Sequence, residues 1–278
     1  MNKRPEVAGR RFRRTRPLIA AITAIWALGG PVSAAEPRAG PPPIEIAAER
    51  LKAAYPGIVT AIEHGSAVFA DGTRLPFDDR LAPKDYAVWL ETPDIKDMFR
   101  QPYLTDAQLP PPPDWDPGRA RNEAFFLKVY GDCRRGAVEG KLADVVWLPK
   151  KWGHKLKFTK VNGAAAQLRK VSGDLDQLAK KYDIDLFPTA GTYNCRKVAG
   201  TEHRSPHGYG IAIDIALKHS SYWRWFLTKP AVKVKYRNAI PMEIVRVFER
   251  HGFIWGGRWH HFDTMHFEYR PEMLMSAP

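Results

Sequence analysis

Most of the chain's nine histidines crowd into its last third, and two of them stand in surroundings where metal chemistry makes sense. The first is Ser205-Pro206-His207-Gly208-Tyr209-Gly210-Ile211-Ala212-Ile213-Asp214. Side chains alternate along a strand, so Ile211, Ile213 and Ile215 face one side and Ala212 and Asp214 the other. The isoleucines fill a core, and Asp214 is offered on the opposite face. Gly208 and Gly210 flank a turn from which His207 can fold back towards that face. The second is Asp263-Thr264-Met265-His266-Phe267-Glu268, where His266 opens a strand and Asp263 reaches the same site through a turn. Two histidines and one carboxylate make a three-ligand zinc site whose fourth position is left to water. Zinc lowers the pKa of that water to about 7, and a nearby unligated carboxylate can take its proton as it attacks a carbonyl.

Each residue alone has a plainer reading: a hydrogen-bonded core histidine for His207 or His266, a turn cap for Asp214, an N-cap or ion-pair partner for Asp263. The joint pattern outweighs these readings. A Ser-x-His-x-x-Gly-x-Ala-x-Asp run is followed, some fifty residues on, by Trp255-Gly256-Gly257-Arg258-Trp259 and then by Asp-x-x-His-Phe-Glu. In that pattern Thr192 to Glu272 resembles the zinc D-alanyl-D-alanine carboxypeptidases, which include the vancomycin-resistance carboxypeptidases and dipeptidases and the phage L-alanyl-D-glutamate endolysins. Weaker similarity reaches back towards Phe125.

The resemblance implies one zinc ion held by His207, Asp214 and His266, with Asp263 as general base. Some branches carry Glu at that position; Asp is the endolysin-like choice. It further implies that Arg196 binds substrate and polarises the scissile carbonyl, a sensible role for a cation that cannot lose its proton. Without the family, Arg196 reads as an exposed arginine at a strand end. Ser205 is expected to orient the His207 loop through its hydroxyl, and Trp255 and Trp259 to wall the cleft, with core packing an equal contender for both tryptophans. Glu268, on the same strand face as His266, rivals Asp263 as base. His203, His260 and His261 are not taken as ligands, because a fourth protein ligand would close the site.

The elements that must position these residues read as α+β, an antiparallel sheet with flanking helices, and the resemblance implies a hedgehog-like catalytic domain. Residues 44–55 carry apolar side chains at helical spacing up to Pro56-Gly57. Asp71-Gly72 between two short apolar runs predicts a hairpin. Helices are predicted over 122–130, 164–182, 220–227 and 241–251, and strands over 155–161, 187–193, 211–215 and 266–269. The run Leu109 to Pro113 is a stiff spacer, so the expected organisation is a leader (1–34), a proline-rich linker (35–43), an N-terminal α/β segment (44–117) and a catalytic domain (118–278). The stretch Pro149 to Lys160 mixes cations with aromatics, as a solvated strand face or as a contact for anionic wall polymer.

Length and composition set the outer bounds. The chain has 278 residues, 44% of them hydrophobic, which excludes a disordered or low-complexity protein. Its net charge of +13 would suggest a polyanionic partner. Seven of the basic residues, however, precede the apolar run Leu18 to Leu28 and the small residues Val32-Ser33-Ala34, the order of a secretory signal peptide. That run is too short to cross a bilayer, which takes about 20 residues. Cleavage after Ala34 or Ala35 leaves 36 basic against 29 acidic residues. A periplasmic or extracellular protein follows, with no nucleic-acid partner, no span after cleavage and a monomer as the expected state. In such a compartment Cys133 and Cys195 most simply form one bridge, the alternative being two reactive or metal-binding thiols.

Two functions are carried forward. One is an exported zinc peptidase acting on peptidoglycan stem peptides, as D,D-carboxypeptidase or L-Ala-D-Glu endopeptidase. The other is a non-catalytic zinc-binding module of the envelope, as the hedgehog likeness would allow.

Overall fold

The computed structural model describes residues 40–81, 83–227 and 234–275. The expected leader lies outside them. Residues Ala39–Pro278 form one compact unit, and among the described residues no helix is long and apolar enough to cross a membrane.

Helix α1 (Ile44–Ala54) buries Ala47, Leu51 and Ala54, a stripe at helical spacing, and stops at Tyr55 ahead of Pro56. An antiparallel sheet β1-β2-β3 follows (Val59–Glu63, Ser66–Phe69, Arg74–Pro76). Its β2-β3 turn is the expected one, with Gly72 at φ 80° and its N–H donating to the Phe69 carbonyl. Helix α2 (Tyr86–Glu91) is capped by Asp85, whose carboxylate accepts from Val88 N. Helix α3 (Glu123–Tyr130) is capped in the same way by Asn122 and ends at Gly131, as expected.

Strands β4 (Leu142–Trp147) and β5 (His154–Thr159) form an antiparallel pair. On β5, Leu156 and Phe158 are buried while Lys155 and Lys157 face solvent, and Lys157 pairs with Asp144 at 2.7 Å. The lysines of the mixed stretch thus lie on the exposed face of β5. Helix α4 (Ala164–Leu175) is shorter than the predicted 164–182. Gly173, Asp174 and Asp176 are weak helix formers, and Asp176 turns its carboxylate to Lys150 N. A short helix α5 (Asp183–Leu186) leads into residues 187–193, which are no strand. Pro188 has no N–H to give, and the segment meets the next strand at an isolated bridge between Gly191 and Asp214, beside which Ala190 N donates to the Asp214 carbonyl.

The third sheet carries the motifs: β6 (Ala212–Asp214), β7 (Phe253–Trp255) and β8 (His266–Tyr269), in the order β6-β8-β7 with all neighbours antiparallel. The predicted helix 220–227 is only a 3-10 turn, Trp223–Phe226. Its backbone is committed elsewhere: Ser221 N donates to Thr264 Oγ1, Thr264 N to the Ser221 carbonyl and Trp223 N to the Phe262 carbonyl. Helix α6 (Met242–Arg250) runs from Pro241 to His251 and lays Ile244, Val245, Val247 and Phe248 on the core; α7 (Pro271–Leu274) closes the chain.

One apolar core joins these pieces. Ile211, Ile213 and Ile215 are fully buried in it, each contributing about 1.5–3 kcal/mol. Residues 44–117 and 118–278 share it: the Tyr55 ring meets Phe125 edge-on at 5.1 Å, and its hydroxyl donates to buried Glu272 at 3.0 Å.

Candidate metal centre

His207 sits in a 3-10 turn, Pro206–Tyr209, that feeds β6 through Gly210 at φ 69°. Gly208 has a different task, since a Cβ there would stand 2.8 Å from Arg204 Cδ. Arg204 is buried, with Nη1 3.2 Å from Asp132 and 3.0 Å from Cys133 Sγ. Cys133 and Cys195 are disulfide-bonded, so the expected bridge is present and braces the turn that carries His207.

The sheet register does the rest. Asp214 on β6 lies directly opposite His266 on β8, and Ala212 opposite Glu268. Directly opposed side chains on one face are close neighbours, and Asp214 Oδ1 is 2.9 Å from His266 Nδ1. On the other side Asp214 Oδ2 is 3.2 Å from His207 Nε2. One ligand atom from each of the three residues lies within 4.8 Å of the others.

The imidazoles are oriented from behind. His207 Nδ1 donates to the Thr192 carbonyl, which leaves Nε2 as a buried lone pair with no hydrogen bond of its own. His266 turns Nε2 towards Glu268 Oε2 at 3.7 Å, so that Nδ1 faces Asp214. Backing of a ligand histidine by a carbonyl or carboxylate is the usual support of a metal site. Electrostatics agree. Although burial acts the other way, His207 and His266 hold the Asp214 carboxyl far below the usual range. Asp214 and Glu268 push His266 up to about 9 against the effect of burial. The histidines and the carboxylate thus stabilise one another's charges, and two imidazole nitrogens with one carboxylate suit zinc.

Asp263 stands beside the cluster, its position fixed by N–H donation to the Gly256 carbonyl and by the bridge to Tyr222. Its Oδ1 is buried without a hydrogen-bond partner. Burial pushes its carboxyl up, Asp214 adding to the effect and the two histidines opposing it. Glu268, the rival base, is excluded by its partners: fully buried, it accepts from Arg121 Nε at 2.8 Å and lies 3.4 Å from Arg270 Nη1. Although desolvation opposes them, these charges hold it ionised far below the usual carboxylate range.

The remaining expected residues divide. Arg196 is exposed and donates to the Lys197 carbonyl at 3.3 Å. No side-chain hydrogen bond or ion pair ties Arg196 to the cluster among the described residues. Ser205 is buried, but its ties are those of the main chain: its N–H donates to the Arg196 carbonyl and its carbonyl accepts from Gly208 N. Trp255 is no cleft wall. It is fully buried, stacked towards Phe267, with Nε1 donating to the Thr264 carbonyl. Trp259 is nearly buried too and packs behind the cluster, 5.8 Å from the His266 ring, with Nε1 donating to the Pro117 carbonyl.

His260 and His261 gather separately with Asp114. The His260 Nδ1 lone pair there receives the Asp114 N–H at 3.0 Å, and His261 Nδ1 faces buried Asp116 at 2.7 Å. Three aspartates, Asp78, Asp79 and Asp94, also meet, but Lys96 pairs with Asp78 and Lys84 with Asp79. Thr192 and Arg121, which support the site, had no signal of their own in the sequence: one acts through its backbone and the other lies far from either motif.

A family model described as D-alanyl-D-alanine carboxypeptidase matches residues 199–269, a segment that contains His207, Asp214, Asp263 and His266. No curated protein and no solved structure matches the chain. The match supports a peptidase of the D-alanyl-D-alanine carboxypeptidase type and the family likeness drawn from the motifs.

Proposed function

We propose, from a chain whose residues 199–269 are D-alanyl-D-alanine carboxypeptidase-like, that the protein is an exported zinc metallopeptidase cleaving peptidoglycan stem peptides. The single observation that carries this reading is the convergence of His207, Asp214 and His266 around one point, with Asp263, whose buried Oδ1 has no hydrogen-bond partner, beside it. The hedgehog-like domain implied by the same resemblance is part of the proposal, as is export through the N-terminal leader.

His207, Asp214 and His266 would hold a zinc ion, which when bound would supply Lewis-acid activation of water and of the scissile carbonyl. Thr192 and Glu268 keep the two imidazoles turned towards the ion. Asp263 accepts the proton of the attacking water through its free Oδ1 and returns it to the leaving amine as the C–N bond breaks. Arg196 places a permanent positive charge by the substrate carbonyl, where the oxyanion develops. The apolar ring of Trp259 shields the back of His266 from solvent.

Mass spectrometry of muropeptides digested by the zinc-loaded protein tests the reading. New stem-peptide fragments, lost on chelation while the fold persists, are expected. Intact muropeptides would overturn it, and loss of stability on chelation with no activity to lose would favour a structural metal.

A further inference from the structure

A cleft of about 340 Å³ adjoins the metal cluster. Tyr209, from the turn of His207, lines it, and so does Arg121, whose partner Glu268 backs His266. His261 lines it too, two residues before Asp263. A peptide held at the cluster therefore has this cleft as its next surface.

The His261 ring is held from several sides. Asp116 is fully buried; its Oδ1 accepts from His261 N at 2.9 Å, and its Oδ2 faces His261 Nδ1 at 2.7 Å. The Tyr86 hydroxyl donates to the same Oδ2. Although burial acts the other way, the His261 hydrogen bond and the charge of Arg119, 3.7 Å from Oδ1, hold the Asp116 carboxyl down at about 2. An ionised carboxylate only accepts, so Nδ1 carries the proton and an uncharged His261 is left with a lone pair on Nε2. The ring stacks along Tyr86 at 5.9 Å and meets the Trp223 ring edge-on at 4.7 Å. No hydrogen bond of Nε2 occurs among the described residues, and the atom is not sealed from solvent, the side chain being 23% exposed.

The other polar groups of the cleft are unevenly supplied. Four arginines line it as donors, whereas its two carboxylates, Glu91 and Glu123, lie 3.1 and 3.5 Å from His203. An extended peptide brings N–H groups as well as carbonyls, and an N–H that loses water without gaining an acceptor weakens binding. We propose that His261, aimed by Asp116 and Tyr86, is a substrate-binding residue whose Nε2 accepts a backbone N–H of the peptide lying in this cleft; the proposal rests on the peptidase reading above. Asp116 and Tyr86 are then positioning residues. They set the tautomer and the plane of the ring before the peptide arrives, so that little further ordering is needed on binding. Both come from residues 44–117, which thereby take part in the substrate site.

Equilibrium binding to the full-length Asp263→Asn protein incubated with zinc tests this. The probes are the stem pentapeptide L-alanyl-γ-D-glutamyl-L-lysyl-D-alanyl-D-alanine and a series in which one amide at a time is replaced by an ester, which keeps the shape and removes the N–H. One ester is expected to bind about tenfold less tightly than the parent. Adding His261→Ala, with melting profile and zinc content unchanged, is expected to make parent and that ester bind alike. His261→Gln, whose amide oxygen can accept at similar reach, should restore most of the preference. Imidazole nitrogen NMR gives a readout that a purely structural histidine would not move: Nδ1 protonated, and an Nε2 resonance that shifts with the parent but not with that ester. This spectrum decides alone if the alanine variant fails to fold. A preference that survives His261→Ala, an ester series that binds like the parent, no binding at all, or an Nε2 unmoved by bound peptide overturns the assignment. His261-dependent binding of a pentapeptide that the wild-type protein never cleaves would leave the contact standing and remove the peptidase reading instead.

Discussion

Two clusters in this chain share a composition of two histidines and an aspartate, and they are not alike. In the first, His207, Asp214 and His266 converge with one ring nitrogen of each histidine held from behind and the other turned inward. In the second, His260 and His261 meet Asp114, but the Nδ1 lone pair of His260 is taken by the Asp114 N–H, and His261 is drawn towards Asp116. The contrast shows that residue count is a poor guide to a metal site. What matters is where the lone pairs point, and that is set by the second layer of hydrogen bonds.

The largest effect expected from this contrast is on metal binding. His207→Ala or His266→Ala should abolish stoichiometric zinc, weakening it beyond the roughly 100-fold that changes behind a ligand produce, whereas the double change His260→Ala with His261→Ala should leave one zinc per chain. Elemental analysis of the purified proteins checks both. Two zinc ions in the wild type, one of them lost in the His260/His261 variant, would erase the distinction between the clusters.

Next in size is the brace. Cys133→Ser with Cys195→Ser opens a cross-link between residues 62 apart, expected to cost roughly 4 kcal/mol of stability. Because Arg204 rests on the sulfurs and on Gly208, zinc affinity should fall as well, by about tenfold, the lower end of effects seen behind ligands. Urea unfolding and a chelator competition measure the two, and unchanged affinity in the still-folded variant would separate the brace from the metal centre.

The smallest effect concerns the second cluster. Burial opposes it, but the His261 hydrogen bond and the charges of Arg119 and His261 hold the Asp116 carboxyl down at about 2. A depressed folded-state pKa gives stability that is present above about 4 and lost as pH falls through 2, roughly 2 kcal/mol in all. Urea unfolding between pH 5 and 2 should show this loss in the wild type and a flatter profile in Asp116→Asn. Identical profiles would mean that the second cluster is not held together by charge.

Reading the sequence brought the ligands to the page but not their arrangement. Alternation along 211–215 placed Asp214 opposite the isoleucines, as found. The partner of that strand was invisible: that β8 pairs with β6 so that His266 meets Asp214, and Glu268 meets Ala212, is a long-range register that no local pattern encodes. Glu268 consequently read as a base, because its partner Arg121 lies 147 residues away. The helices α1, α3 and α6 were legible from apolar spacing and from their Pro, Asn or Gly boundaries. Residues 220–227 misled, since their aromatic run fits a helix while the N–H groups of Ser221 and Trp223 are spent on Thr264 and Phe262. Helix α2 passed unnoticed: only Trp89 of its six residues is buried, too little periodicity to detect. Trp255 illustrates another limit, because a tryptophan beside a glycine pair fits a cleft wall and a core equally well until its neighbours are known.

The central claim is that Asp263 moves the proton at a metal centre it does not itself hold. Zinc content and turnover of stem peptide by Asp263→Asn, measured on one preparation, test this most directly. One zinc per chain with turnover lowered by about 100-fold or more is the predicted result. Turnover equal to the wild type, or a variant that no longer holds zinc, would contradict it.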